Sequence, residues 1–502
     1  MAAVNVRSTF LARGTLAALL SFGCATQLRA DAGWFASGDT QLRLDLQVLN
    51  DAEVIELPMN YWPVPHAAVK YALANAKNHF ATNSAVAAAL ERVQARLAQT
   101  TRGIRYDTGI RGGEPGLWRD FDTLAREDGE LGAGLDWADG RYAADLEVTA
   151  VADPADGQEI RLDGSHATVQ LGNWLLSAHA MDRWWGPGHE GSLILSNNAR
   201  PMPTFMVERA EARAPGVSWL EWLGPYRMSF GISQMENSRE DIDAPLFMAW
   251  RFSVMPFRKM EIGLSRTAQF CGREQECSLS VFGNLLVGND NVGLDVSAED
   301  EPGNQMAGFD MRWNSPIGNL PYALYGQYIG EDESGYLPEK FLQQVGAEVW
   351  HPFSDGSLAQ IYAEWAWTTC TGHSRFGPRY GCAYQGGQFS VEGYRYRDRN
   401  VGYTSDRDSE NWALGGNYAA ADGSVWTATA RYSTLAHGGN GDTRNTVASV
   451  PTEYGALELG WKGRLFGEHL SVDLGVEALE PENAARDVQV FGFVGWRHEF
   501  QP

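Results

Sequence analysis

Asp182-Arg183-Trp184-Trp185-Gly186-Pro187-Gly188 packs an acid–base pair, two adjacent tryptophans and a Gly-Pro-Gly turn into one short stretch, with His189 directly after it. Two kinds of chemistry could use such residues. The first is nucleophilic catalysis, which needs a hydroxyl or thiol beside a base. His179 with Ser177, or His189 with Ser192, would supply the residue types. However, the chain has 10 histidines and many serines, so chance proximity accounts for both pairs. No GxSxG elbow, P-loop, HExxH or EF-hand accompanies them, and no catalytic residue is assigned.

The second is recognition of a sugar polymer. Aromatic rings stack on the flat C–H faces of sugars, while Arg and Asp supply fixed donors and acceptors for the hydroxyls. A later stretch repeats the composition with Arg375, Tyr380, Tyr384, Tyr394, Arg395 and Tyr396. Taken singly, each of these side chains is more simply read as ordering a long loop. As a set they make Trp184, Trp185, His189, Arg375, Tyr380, Tyr384, Arg395 and Tyr396 the candidate polysaccharide-binding residues. Asp182 and Arg183 are instead expected to pair with each other inside the fold. No CxxC and no His/Cys cluster has zinc spacing, so neither a metal nor another cofactor is expected.

The scaffold for these residues is bounded by composition. The 502 residues carry 40 Lys+Arg against 63 Asp+Glu, a formal charge of −23. A nucleic-acid partner would need a concentrated basic surface and is excluded. An acidic glycan would need local basic patches such as Arg375, Arg379, Arg395, Arg397 and Arg399. Arg7 and Arg13 before the apolar run Gly14–Ala25, with small residues at Ala30 and Ala32, predict a secretory signal peptide over 1–30. Cys271, Cys277, Cys370 and Cys382 then remain in the exported chain and suggest disulfides. Three connectivities are open, and the local pairs Cys271–Cys277 and Cys370–Cys382 are the simplest.

Thr40–Leu49 reads as a strand, with Leu42, Leu44, Leu46 and Val48 on one face. Two helices follow, one entered through Pro63 and Pro65 with the stripe Val69, Leu73, Ala76, Phe80. The other is capped at Asn83 or Ser84 with the stripe Val86, Leu90, Val93, Leu97. They are expected to form an antiparallel pair capping a barrel end. From about Trp118 the period becomes two. Leu470, Val472, Leu474 and Val476 alternate with Ser471, Asp473, Gly475 and Glu477; Val488, Val490, Val494, Trp496 and Phe500 oppose Gln489, Gly495, Arg497 and Glu499.

No apolar run reaches the roughly 18 residues a membrane helix needs, but membrane barrels cross with alternating strands. A soluble sandwich also alternates. Three features favour the barrel: charges such as Glu477 and Arg497 on the supposed inner face, Trp426, Tyr432, Trp461 and Trp496 near strand ends, and connections that alternate short and long. Asp355-Gly356, Asp422-Gly423 and Gly467-Glu468 are tight, whereas Cys271–Gln305, Thr369–Glu410 and His437–Thr452 are long. On this pattern the long loops, both cysteine pairs and the Arg183–Gly191 turn face outside. The pattern counts to about twenty strands, with eighteen equally defensible; the least secure lie in Arg119–Trp137 and Leu193–Leu223.

Several long motifs, in order, carry a resemblance. DRWWGPG…LILSNNARPMPTFMVER, LGPYRMSFG, FCGREQECS…LLVGNDN…EPGNQMAGFDMRW and YRYRDRNVGYTSDRDSEN, after a WPVP entry, resemble the capsule-assembly outer-membrane family Wzi over nearly the whole exported chain. The resemblance implies an all-β transmembrane barrel of about 18 antiparallel strands with a small N-terminal periplasmic helical region. It also implies an occluded outer mouth and a lectin-like role in attaching capsular polysaccharide to the cell surface. The Cys271–Cys277 segment matches the family pattern, whereas Gln501-Pro502 after Phe500 departs from the usual aromatic end of a barrel chain.

The expected organisation is therefore a signal peptide at 1–30, a periplasmic strand and helical bundle at 31–118, and an outer-membrane barrel at 119–502. The expected partners are capsular polysaccharide, outer-membrane lipid and the polysaccharide export machinery. The competing reading is an outer-membrane porin or sugar channel.

Overall fold

The computed structural model describes residues 31–77, 84–99, 103–123, 125–239, 242–273, 277–287, 304–334, 337–372, 377–385, 392–438 and 445–500. The expected signal peptide and Arg375 lie outside the described residues. Among the described residues, 18 antiparallel strands close into a barrel. The first six are β1 (Gly103–Glu114), β2 (Gly129–Asp139), β3 (Tyr142–Ala152), β4 (His166–Leu171), β5 (Trp174–His179) and β6 (Thr204–Arg209). Next come β7 (Tyr226–Gln234), β8 (Leu246–Phe257), β9 (Met260–Phe270), β10 (Gln305–Asn314), β11 (Tyr322–Ser334) and β12 (Leu337–Pro352). The circuit ends with β13 (Leu358–Gly372), β14 (Glu410–Ala419), β15 (Val425–Leu435), β16 (Thr452–Leu465), β17 (Glu468–Pro481) and β18 (Asp487–Phe500).

β18 pairs with β1, Trp496 opposite Ile110, and leaves no open edge. The count of twenty is corrected: Leu193–Leu223 holds one barrel strand, β6, and Arg119–Trp137 only one, β2, which runs on to Asp139. The barrel also begins at Gly103, ahead of the expected boundary at 119.

Alternation explains the wall. Leu457, Leu459, Leu474 and Val490 point outward and are 56–75% exposed, as residues bathed in lipid must be. Glu477 is buried on the inner face, and Arg497 reaches Asp107 on the neighbouring strand β1 at 2.7 Å. No described helix is long and apolar enough to cross a membrane. The short turns and both ends of the strand circuit share one rim, the periplasmic one in a bacterial barrel. The long connections, with disulfides Cys271–Cys277 and Cys370–Cys382, share the other, except residues 210–225, which lie on the rim of the short turns.

The N-terminal segment corrects two expectations. Thr40–Asp51 is a helix, α1, not a strand; the Asp39 side chain accepts the Leu42 N–H at 3.0 Å and caps it. α1 is buried on nearly every side, so apolar residues fall all round it and their alternation carries no strand signal. α2 (His66–Ala74) and α3 (Ser84–Gln99) occur as expected, but α3 packs on α1 instead of forming a pair with α2. Arg92 clasps Asp45 at 2.6 Å and Arg96 pairs with Asp39. Ser84 donates to the Phe353 carbonyl at 2.9 Å, seating α3 against a periplasmic turn.

Candidate functional site

The long connection after β5 leaves the outer rim and folds back into the lumen. Trp184 and Trp185 pair as a short strand with Trp62 and Tyr61 from the N-terminal segment. Wall arginines hold that segment in turn. Arg227 donates to the Tyr61 and Pro63 carbonyls at 3.0 and 2.9 Å with its guanidinium 3.7 Å over the Tyr61 ring, and Arg251 reaches the Asn60 carbonyl at 3.2 Å. The barrel is thus plugged from both ends by one interlocked unit.

Every element of the Asp182–Gly191 stretch is used in this plug. Trp184 is fully buried, edge-on to Phe121 at 5.5 Å, and its indole N–H donates to the Gly188 carbonyl at 3.1 Å. Trp185 is fully buried, and its carbonyl accepts Ser192 Oγ at 2.5 Å and Gln327 Nε2 at 2.7 Å. His189 is buried, stacked on Tyr362 at 4.1 Å, with Nε2 2.7 Å from Glu348. Burial, with Arg43 alongside, pulls its imidazole down to about 4. Gly191 is required by close approach, since an added Cβ would sit 2.3 Å from the Tyr403 ring. Asp182 and Arg183 lie in the lumen but take different partners. Asp182 meets Arg126 at 2.6 Å, while Arg183 meets Glu208 at 3.5 Å and His179 Nε2 at 2.9 Å. The serine–histidine pairs are not brought together as nucleophile and base: His179 bonds Arg183, and His189 bonds Glu348.

The second candidate stretch locks onto the first. Tyr384 donates to the Leu193 carbonyl at 2.9 Å and Tyr394 to the Ile194 carbonyl at 2.6 Å, both rings fully buried. Arg395 is buried in an ion pair with Asp406 at 2.9 Å, and Tyr396 is 4% exposed. Trp184, Trp185, His189, Tyr384, Arg395 and Tyr396 are therefore withdrawn from direct contact with an external polymer, because their rings and charges are consumed in packing the plug. Tyr380, 44% exposed, keeps an accessible face.

The outer end of the barrel holds, partly exposed and partly buried, residues that composition alone did not single out. A two-residue turn, Arg397-Asp398, joins the short strands Arg395–Tyr396 and Arg399–Asn400; both turn residues have positive φ, 51 and 61°. Arg397 lies 5.3 Å over the Tyr396 ring and 3.5 Å from Asp156. Arg200 clasps Asp163 at 2.8 Å, and Arg161 meets Glu127 at 2.6 Å. Arg119 donates to the Asn198 carbonyl at 2.6 Å with no carboxylate partner in ion-pair distance among the described residues. Burial, with Arg399 and Arg126 beside it, pushes its guanidinium well below the ordinary value. Arg397 and Arg399 were legible as basic loop residues; Arg119, Arg126, Arg161 and Arg200 were not, because they are scattered over more than eighty positions and meet only in the fold.

One cavity of about 460 Å³ runs beside the plug, between it and the wall of β16–β18 and β1–β3. It reaches from His469 and Arg497 near the periplasmic rim to Arg161 and Asp163 near the outer one.

Comparison with known proteins places this geometry. The family described as capsule assembly protein Wzi matches residues 109–490. A Klebsiella pneumoniae protein, described as a 55.8 kDa protein in the cps region, is 34% identical over 342 residues, covering 67% of this chain and 65% of its own length. The chain thus spans just under two thirds of that relative. The solved structure of Escherichia coli Wzi, described as a carbohydrate-binding β-barrel of the outer membrane involved in group 1 capsule assembly, matches with a TM-score of 0.81. It is 27% identical, over 94% of this chain and 100% of that one. The solved structure of Pseudomonas aeruginosa OccK5 (OpdH) matches at a TM-score of 0.43 and 10% identity, over 79% of this chain and 98% of that one.

Proposed function

This chain belongs to the Wzi family of capsule assembly proteins, an outer-membrane β-barrel, and from that premise we propose that its outer face binds an exported capsular polysaccharide and holds it at the cell surface. The supporting observation is the interlocked plug. It turns the mouth of the barrel into a fixed, polar surface on which Arg200, Arg397, Arg399 and Tyr380 are at least partly exposed. A sugar polymer fits such a surface, since guanidinium groups donate to hydroxyls and carboxylates in fixed geometry and an exposed ring stacks on a pyranose face. The E. coli relative's description as carbohydrate-binding supports the same reading.

In this reading the protein is a binding protein, not a catalyst. Residues 31–77 and 84–99 form its periplasmic-side closure, with a signal peptide at 1–30 directing export. The outward side of α3, with Glu91, Gln94 and Ala95 exposed, is the face that export machinery would meet. The second reading, a narrow pore, is favoured only by the cavity beside the plug. A planar-bilayer recording separates the two: steady open conductance favours the pore, and silence the plugged binding protein. The test of the main reading is cellular. Deleting the protein should release surface polysaccharide into the medium, and the Arg397→Ala/Arg399→Ala/Tyr380→Ala variant should fail to restore retention. Full restoration by that variant would defeat the assignment of this surface.

A further inference from the structure

On the periplasmic rim of β5–β7 a charge stands where lipid is expected. Along β6, Thr204, Met206 and Glu208 face the lumen and are buried, whereas Phe205 and Val207 face outward at 76% and 37% exposure. Arg209 continues the outward series. It lies directly opposite Trp174 on β5, and its guanidinium stands 5.8 Å from the Trp174 ring and 4.1 Å from the Tyr226 ring, both outward-facing. Among the described residues no carboxylate comes within ion-pair distance of it; neighbouring Arg213 takes Glu211 instead. Two aromatic rings stabilise such a cation from its faces but leave its edge donors unanswered.

Beside it the chain makes its longest periplasmic connection, residues 210–225, built around a 3₁₀ helix, Ser218–Leu223. In a 3₁₀ helix residues three apart eclipse one another, so Trp219 and Trp222 project side by side, 72% and 65% exposed. Gly224 fixes this helix to the end of β8: its φ is 65°, and an added Cβ would lie 1.9 Å from the Met255 carbonyl oxygen. Phe257 at the tip of β8 is a further 66% exposed, so the patch continues the lipid-facing band of the barrel.

We infer that Arg209, framed by Trp174 and Tyr226 at the end of the strand that leads into the connection carrying Trp219 and Trp222, is a headgroup site for a phospholipid of the inner leaflet of the outer membrane. The guanidinium edge matches a phosphate in bidentate geometry, and tryptophans settle at the headgroup level beside it. The inference is independent of the glycan reading, because it concerns the opposite rim and the outer wall.

The test uses the full chain purified in detergent and titrated with phosphatidylglycerol, and separately with inorganic phosphate, under native mass spectrometry. The expected result is one preferred phosphatidylglycerol adduct. Its affinity falls at least about tenfold in Arg209→Gln and by a smaller factor in Arg209→Lys, which keeps the charge but loses the bidentate fork, and inorganic phosphate does not displace it. Equal affinity in Arg209→Gln, or displacement by inorganic phosphate, overturns the assignment. A second measurement holds even if Arg209→Gln does not fold. In vesicles containing phospholipid brominated near the headgroup, the fluorescence lost on making Trp219→Ala/Trp222→Ala, substitutions at exposed positions, should be the quenched part. If that part is unquenched, the two indoles lie in water and the site is refuted.

Discussion

Arg43 is the clasp between the two halves of the plug, and replacing it with methionine tests whether the outer segment owes its order to the N-terminal one. Its Nη2 donates to the Pro187 and Gly188 carbonyls at 2.7 and 2.9 Å, and its guanidinium lies 4.4 Å over the Phe121 ring. Methionine keeps most of the packed stem and removes both bonds. The Gly188 carbonyl keeps the Trp184 indole N–H at 3.1 Å, whereas Pro187 is left without this donor. A charged hydrogen bond contributes about 1.5–3 kcal/mol, so the gross loss is about 3–6 kcal/mol. Relief of the buried guanidinium, whose pKa is lowered by desolvation, returns part of that, leaving about 2–4 kcal/mol. At 1.4 kcal/mol per tenfold, hydrogen exchange in residues 184–199 and in α1 should accelerate by about 30- to 700-fold. Exchange in the wall strands β17 and β18 should not change. If the plug peptides keep their wild-type protection, or if wall and plug accelerate together, the two halves are not a separate interlocked unit and the reasoning fails.

Other consequences follow from the same contacts. Because burial holds His189 down to about 4 and free imidazole titrates near 6.5, its contribution is complete above about pH 6.5. It is lost as the pH falls towards about 4, by up to about 3 kcal/mol; thermal melts of His189→Gln should show a flatter dependence across that window than wild type. Trp184→Ala should destabilise the plug by about 3–5 kcal/mol, read by exchange, whereas Tyr380→Ala should leave melting within about 0.5 kcal/mol and weaken glycan binding. Removing Cys370–Cys382, a closure of 12 residues, should cost about 2–3 kcal/mol and raise exchange chiefly in residues 377–385.

The barrel was readable because lipid outside and polar lumen inside impose one rule on every strand: Leu457, Leu474 and Val490 outside, Glu477 and Arg497 inside. That rule ends where the surroundings stop being two-sided. α1 was misread because burial on all sides removes the polar stripe that would mark a helix. The role of Trp184-Trp185 was hidden for a related reason. Residue type announced an aromatic cluster, but only the pairing with Tyr61 and Trp62 shows that the cluster is spent on packing. The arginines of the outer face share no sequence neighbourhood; Arg119 and Arg399 meet through Asn198 and Asn400, whose bond at 2.9 Å joins the two folded-back loops. The Asp182–Arg183 pairing failed because adjacent side chains in an extended segment point apart, and each found a partner on a different element.

The most direct test of the central claim is calorimetric titration of the purified full-length protein with the capsular polysaccharide of the cell that makes it. Saturable binding is predicted, weakened about two- to twelvefold by Tyr380→Ala and further by Arg397→Ala/Arg399→Ala, with the melting temperature of each variant nearly unchanged. No binding by the wild-type protein, or binding that these substitutions leave untouched, would contradict the claim that this outer face holds the polymer.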